Sequence, residues 1–239
     1  MKPKEKIIYQ YSTINALMKG LYDGEIPCND LKKYGNIGLG TFNAVDGEMM
    51  MIDDVVYRIA YNGKVSAASA TDSTPFAVIT TFQPDTSFEI HDSLDIVSLE
   101  NEINKMIEAK NWIYAIKISG EFSYMKTRSL QRQVKPYPDL IEVAKKQAVF
   151  EHTNITGDIF GFLFPPFMRE INVAGYHFHF LSADRSSGGH VLNCMIKNVK
   201  IELESYKNFE LILPAQESFR NVDLTTDQTD IDTIEREKK

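Results

Sequence analysis

Three of the five histidines in this chain crowd into one short stretch, Gly175-Tyr-His177-Phe-His179-Phe-Leu-Ser-Ala-Asp184-Arg185-Ser-Ser-Gly188-Gly189-His190. His177 and His179 are two apart, flanked by aromatics and Leu, a composition that favours a strand. In a strand, residues i and i+2 share one face and lie roughly 6.5–7 Å apart along the chain. Two imidazoles on that face can converge on one ion. Ser186-Ser-Gly-Gly189 reads as a turn cluster that reverses the chain and returns His190 to the same face, opposite His179. Three neutral imidazoles are the ligand set of an open catalytic zinc site, with positions left for a carboxylate, water or substrate. The competing reading is a strand whose histidines face solvent or backbone carbonyls.

Two other residues have the chemistry to work beside a metal. Glu48 stands at the mouth of the apolar run Met49-Met-Met-Ile52. Burying a carboxylate there is costly unless a metal or an arginine relieves it. Its bland alternative is a glutamate at a strand edge in solvent. Arg128 follows Gly120-Glu-Phe-Ser-Tyr-Met-Lys-Thr, and its guanidinium offers a planar fork that matches a carboxylate. Its bland alternative is a surface arginine in an ordinary ion pair.

The elements that must position these groups are mostly strands. Residues 12–19 read as a short helix capped by Ser12 or Thr13 and ended by Gly20. Residues 35–70 are rich in strand and turn signals, with Asp53-Asp54 punctuating a hairpin. Pro75–Phe82, Trp112–Ile118 and Gly120–Met125 read as strands by their β-branched and aromatic content. Leu99–Lys110 and Asp139–Ala148 carry apolar residues at helical spacing. Thr153–Phe164, Gly175–Leu181, Val191–Ile196 and Val199–Glu204 form a second β-rich region, and the chain turns polar after Leu224. This order predicts an α+β protein with two packed β-rich halves, mixed sheets and few helices. The halves are expected at residues 1–150, contributing Glu48 and Arg128, and 151–239, holding the three histidines and the tail.

Bulk composition narrows the classes. A chain of 239 residues with 43% hydrophobic and 25% charged residues is ordinary for a globular protein. A net charge of −7 argues against nucleic acid or an anionic membrane as partner. Two distant cysteines, Cys28 and Cys194, make neither a disulfide framework nor a cysteine-type zinc site. No apolar run is long enough to span a membrane, and the first twenty or so residues lack the apolar stretch of a signal peptide. The expectation is a cytoplasmic protein.

Several segments resemble the α-acetolactate decarboxylase family. They are Gly38-Leu-Gly-Thr-Phe-Asn-Ala-Val-Asp-Gly-Glu-Met, Thr74-Pro-Phe-Ala-Val, Gly120-Glu-Phe-Ser-Tyr-Met-Lys-Thr-Arg, Lys135-Pro-Tyr-Pro, Gly175-Tyr-His-Phe-His-Phe and Asp184-Arg-Ser-Ser-Gly-Gly-His-Val-Leu. They occur in family order over residues 12–235. The resemblance implies conversion of 2-acetolactate to acetoin and carbon dioxide, with Zn2+ and without thiamine diphosphate. It makes His177, His179 and His190 the zinc ligands, Glu48 a catalytic carboxylate, Arg128 the substrate-facing cation and Thr41 a pocket residue. It also brings a tail glutamate back to the metal, placed at Glu235, with Glu237 as the alternative register. A homodimer is implied too.

This chemistry suits these residues. The substrate's hydroxyl and ketone can chelate one metal, which then acts as Lewis acid for the enediolate left by carbon dioxide loss. Arg128 would hold the carboxylate or enediolate, and Glu48 or Glu235 would protonate one face. Three imidazoles also accept other divalent ions. Two rivals stand beside this reading. A cupin-like metalloenzyme would usually place a Glu soon after the second histidine, and Phe180-Leu-Ser-Ala-Asp184 supplies none. A non-enzymatic small-ligand-binding protein with a structural metal would be expected to close its site with four protein ligands.

Overall fold

A computed structural model describes residues 6–225. Two large sheets, one mixed and one antiparallel, pack face to face, with a separate two-stranded pair (Ile26–Pro27 with Ser73–Thr74) and four short α-helices among the described residues. The first sheet has the strand order Asn208–Ile212, Ile7–Tyr11, Ala77–Thr80, Ile37–Thr41, Glu48–Ile52, Val55–Ile59, Val65–Ala67. Its central strands are buried on both faces, so their sequences run apolar without alternation. Gly40 is needed there. A Cβ at this position would sit 2.3 Å from the Phe76 carbonyl oxygen of the neighbouring strand.

The second sheet is built from four long strands, Ile113–Ser129, Ala148–Phe164, Gly175–Ser182 and Gly188–Tyr206. Each pairs antiparallel with the next, and the start of Gly188–Tyr206 pairs with both Ile113–Ser129 and Gly175–Ser182. The four strands therefore close on themselves at that end. Thr86–Ile90 and Leu94–Asp95 extend the free edge of Gly188–Tyr206. Between the sheets, Leu39, Met50, Ile52 and Val78 pack with Ala115, Phe160, Phe162 and Leu181. The far face of the second sheet is covered by the helix Ile96–Lys105 through Leu99 and Ile103.

The expected α+β architecture with few helices and mixed sheets is what the chain adopts. The Asp53-Asp54 turn is a two-residue hairpin, both residues at positive φ (51° and 64°), joining Ile52 directly to its partner Val55. The short first helix is Ile14–Met18, capped by the Thr13 hydroxyl. Elsewhere boundaries differ. Trp112–Ile118 and Gly120–Met125 are one strand, because Gly120 sits in a bulged stretch rather than a break (φ 149°). Val191–Ile196 and Val199–Glu204 are likewise one strand. The helix expected at 99–110 is Ile96–Lys105, its start set by the Asp95 carboxylate accepting from Ser98 N–H. That expected at 139–148 is only Leu140–Ala144.

Sheet membership does not follow chain order. Residue 150 lies inside the strand Ala148–Phe164, and Asn208–Ile212 returns to the first sheet, parallel to Ile7–Tyr11. Gly188 and Gly189 are strand residues rather than turn residues; the turn spans Ala183–Ser187. Gly189 has φ 135°, and a Cβ on it would lie 2.5 Å from the Arg128 carbonyl oxygen. Gly189→Ala is expected to destabilise the fold by more than about 1 kcal/mol and to weaken metal uptake by displacing His190. Chemical denaturation and metal titration read both effects, and wild-type values would show that the close approach is dispensable.

Candidate metal centre

The three histidines meet where the closed end of the second sheet faces the first. His179 and His190 are directly paired across neighbouring strands, and His190 is paired in turn with Arg128 on its other side. One row across three strands thus carries two imidazoles and a guanidinium. His177 lies two residues before His179, on the same face, since its strand alternates with Phe178 and Phe180 in the opposite core. The ring centroids lie 5.2 Å (His177–His179), 5.1 Å (His177–His190) and 5.5 Å (His179–His190) apart. One ligand-capable nitrogen from each lies within 4.8 Å of the others. All three side chains are buried.

His179 fixes its own tautomer. Its Nδ1 lies 2.7 Å from the Met49 carbonyl oxygen. A carbonyl only accepts, so Nδ1 carries the hydrogen and Nε2 keeps its lone pair for a metal. Burial pushes the His177 imidazole down to about 3, and the Arg128 guanidinium adds to this. Burial also holds His179 well below its ordinary value, followed by the influence of His177; the Met49 carbonyl opposes the shift and Arg128 reinforces it. Neutral imidazoles are the form that ligates metals. His177 and His179 can therefore meet a divalent ion without a proton having to leave first.

The same shift has a consequence for stability. Unfolded His177 takes up a proton below its ordinary 6.5, whereas the folded residue stays neutral down to about 3. The unfolded state binds more protons in that window, so stability falls as pH falls. Metal-free protein is expected to lose stability from this residue progressively as pH drops from about 6.5 towards 3. Denaturation midpoints of metal-free protein at pH 7, 6 and 5 check this; a midpoint that rises on acidification would contradict it.

Glu48 comes from the first sheet. It is 4% exposed at the head of a buried strand, so it is not a solvent-facing edge residue. Its Oε1 accepts from Arg128 Nη1 at 2.9 Å, and its Oε2 lies 3.6 Å from His179 Nε2. Arg128, 3% exposed, is equally far from being a surface arginine. Its pairing with a buried carboxylate satisfies the requirement that buried charges meet a partner. Thr41 lies opposite Glu48 in the adjoining strand and donates its hydroxyl hydrogen to the Gly47 carbonyl oxygen at 2.7 Å. That hydroxyl can only accept from anything in the site.

A cavity offering about 30 Å³ to the centres of water-sized molecules opens beside these groups. Thr41, Glu48, Arg128, His177 and His179 form its polar lining, and Ile14, Leu17, Val45, Phe76, Leu130 and Leu140 its apolar lining. The sequence brought forward the polar half. It missed the apolar half, because Ile14, Leu17 and Leu140 read only as generic apolar faces of short helices. Glu235 and Glu237 lie outside the described residues. The last described residues approach the site, since the Leu224 carbonyl accepts from Asn15 Nδ2 at 2.8 Å, next to cavity-lining Ile14. No helix of the described residues is long and apolar enough to cross a membrane.

Three buried imidazoles that could hold a metal ion, beside an ion-paired carboxylate and guanidinium on a small cavity, make up a candidate enzyme site. Residues 8–226 match the alpha-acetolactate decarboxylase family, and the chain belongs to that family of carboxy-lyases. It is 40% identical to the alpha-acetolactate decarboxylase of Brevibacillus brevis over 92% of this chain and 78% of that one. It is 39% identical to that of Methanosarcina mazei over 96% of this chain and 80% of that one. The crystal structure of alpha-acetolactate decarboxylase from Bacillus subtilis superposes with a TM-score of 0.94 at 37% identity, covering 97% of this chain and all of the other. A Staphylococcus aureus structure described as similar to alpha-acetolactate decarboxylase superposes with a TM-score of 0.89 at 30% identity, over 94% of this chain and 96% of that one. Membership of this family displaces the cupin-like reading.

Proposed function

We propose that this protein converts 2-acetolactate to acetoin and carbon dioxide, with a divalent metal, Zn2+ first among the candidates, held by His177, His179 and His190. The observation that carries this reading is the Glu48–Arg128 pair at 2.9 Å, which shares one cavity with His177 and His179, with His190 completing the imidazole cluster beside them. When bound, the metal supplies a Lewis acid that withdraws electron density from the substrate's oxygens. No thiamine diphosphate is needed in this scheme, because that electron sink replaces the thiazolium.

The remaining work falls to the chain's own residues. The reaction breaks the bond between the carboxylate carbon and the carbinol carbon. The electron pair passes towards the neighbouring ketone, and the carbinol carbon then gains one proton. Arg128 orients the anionic group through its fork, at a buried position where water competes little. Glu48 and Glu235 divide proton delivery and the metal-side contact, as coupled carboxylates can. The apolar lining takes the alkyl groups and keeps water from the reacting carbon. A proton delivered from one fixed side gives acetoin of one configuration. Incubation with racemic 2-acetolactate, reading acetoin and its chirality, tests the reading; absence of carbon dioxide release would reject it.

The tail belongs to this scheme. Leu224 leaves the described region hydrogen-bonded to Asn15, the residue after cavity-lining Ile14. Removal of residues 225–239 is expected to leave a folded, metal-binding protein that turns over slowly. Glu235→Gln should reproduce most of that loss and Glu237→Gln little of it. Equal rates and chirality after truncation would remove the tail from the mechanism, and the reverse ranking would move the role to Glu237. A cytoplasmic homodimer without nucleic-acid or membrane partners completes the proposal, and light scattering on the purified protein reads the oligomer.

A further inference from the structure

We infer that Val45 sets the size of the alkyl group that this site accepts, an inference that rests on the decarboxylase reading above. Val45 is completely buried and lines the site cavity three residues before Glu48. The polar lining takes up the oxygens of a 2-hydroxy-3-oxo acid. Its two alkyl ends must then lie against the apolar lining. Among those apolar residues Val45 is set apart by its backbone: its φ is 46°, a conformation that β-branched residues almost never adopt. Such an outlier persists only where its surroundings over-determine it, and it clusters at functional sites.

The surroundings do over-determine it. Ala44 N–H donates to the Tyr22 carbonyl oxygen at 2.8 Å, and Gln133 N–H donates to the Ala44 carbonyl oxygen at 2.8 Å. The Asn43 side chain accepts from Gly24 N–H at 2.7 Å and donates to the Gly24 carbonyl oxygen at 3.1 Å. The Thr41 hydroxyl holds the Gly47 carbonyl oxygen at 2.7 Å. Asp46 is clamped between Arg58 at 3.4 Å and Arg132 at 3.1 Å. The turn is thus tied to three other segments. A branched side chain also has little χ1 freedom. Leu17 and Leu140 stand on short helices and can change rotamer; Val45 cannot withdraw. A wall that cannot yield discriminates by size, while a yielding wall does not.

The test compares kcat/KM of the zinc-loaded protein for 2-acetolactate and for two analogues, each longer by one methylene at one alkyl end. Val45→Ala is expected to raise the relative kcat/KM of at least one extended analogue by roughly tenfold or more, the scale on which a pocket senses one methylene. Val45→Ile should lower the same ratio. Val45→Gly accepts the positive φ without strain and should match Val45→Ala, which keeps the test open if the other variants fold poorly. Unmoved ratios in variants that bind full zinc, with normal wild-type turnover, would overturn this inference alone. No carbon dioxide release from any of the three compounds by the wild type would overturn it together with the decarboxylase reading.

Discussion

His179→Ala is expected to abolish decarboxylation and to lower metal affinity by more than roughly 10²-fold, the upper range for losing even an outer hydrogen-bonding partner of a ligand. His179 is central to the cluster for three reasons. It faces both other imidazoles, its Nδ1–H is fixed on the Met49 carbonyl, and its Nε2 lies 3.6 Å from Glu48 Oε2. Removing it leaves two imidazoles and frees the buried Met49 carbonyl from a donor, which costs about 1–3 kcal/mol of stability. His177→Ala and His190→Ala should weaken metal binding similarly while leaving the Met49 contact intact. Metal content by elemental analysis and the denaturation midpoint separate the two effects. Full metal retention in the triple alanine variant would contradict the assignment.

Arg128→Lys is expected to keep the fold and lose roughly 10²-fold or more in kcat/KM, the scale seen when one donor to a transition state is removed. Lysine keeps the positive charge beside buried Glu48 but not the planar fork. Arg128→Met should behave differently. It takes the cation away from a buried carboxylate, a change that costs about 3–5 kcal/mol in comparable pairs. A slow but stable lysine variant beside an unstable methionine variant would mark Arg128 as both a substrate-orienting residue and half of a buried pair. Wild-type kinetics in Arg128→Lys would restrict it to the structural role.

The clustering of the three histidines was legible because its information is local. A two-residue spacing puts His177 and His179 on one face of any strand, and a tight reversal puts His190 opposite His179, the register observed. The Asp53-Asp54 hairpin was legible for the same reason. What the sequence concealed is long-range. Glu48 and Arg128 meet across two sheets, and no spacing in the chain encodes which strands will be neighbours. The return of Asn208–Ile212 to the first sheet is equally silent, since a parallel partner is chosen by packing rather than by a turn. Gly120 and the Gly188-Gly189 pair looked like breaks because glycine usually marks turns. Here all three allow close backbone approach: a Cβ on Gly120 would meet the Asn198 carbonyl oxygen at 2.1 Å, one on Gly188 the Phe180 carbonyl oxygen at 2.5 Å, and one on Gly189 the Arg128 carbonyl oxygen at 2.5 Å. Strand chemistry signals a turn and a tight strand crossing with the same residue.

The central claim is that the buried histidine cluster, loaded with a divalent metal, decarboxylates 2-acetolactate. The most direct measurement is carbon dioxide release from racemic 2-acetolactate by protein stripped of metal and then titrated with Zn2+, with acetoin resolved on a chiral column. Stripped protein is expected to release negligible carbon dioxide, zinc to restore release with saturation near one ion per chain, and the acetoin to have a single configuration. Equal release before and after stripping, or no release from zinc-saturated protein, would contradict it.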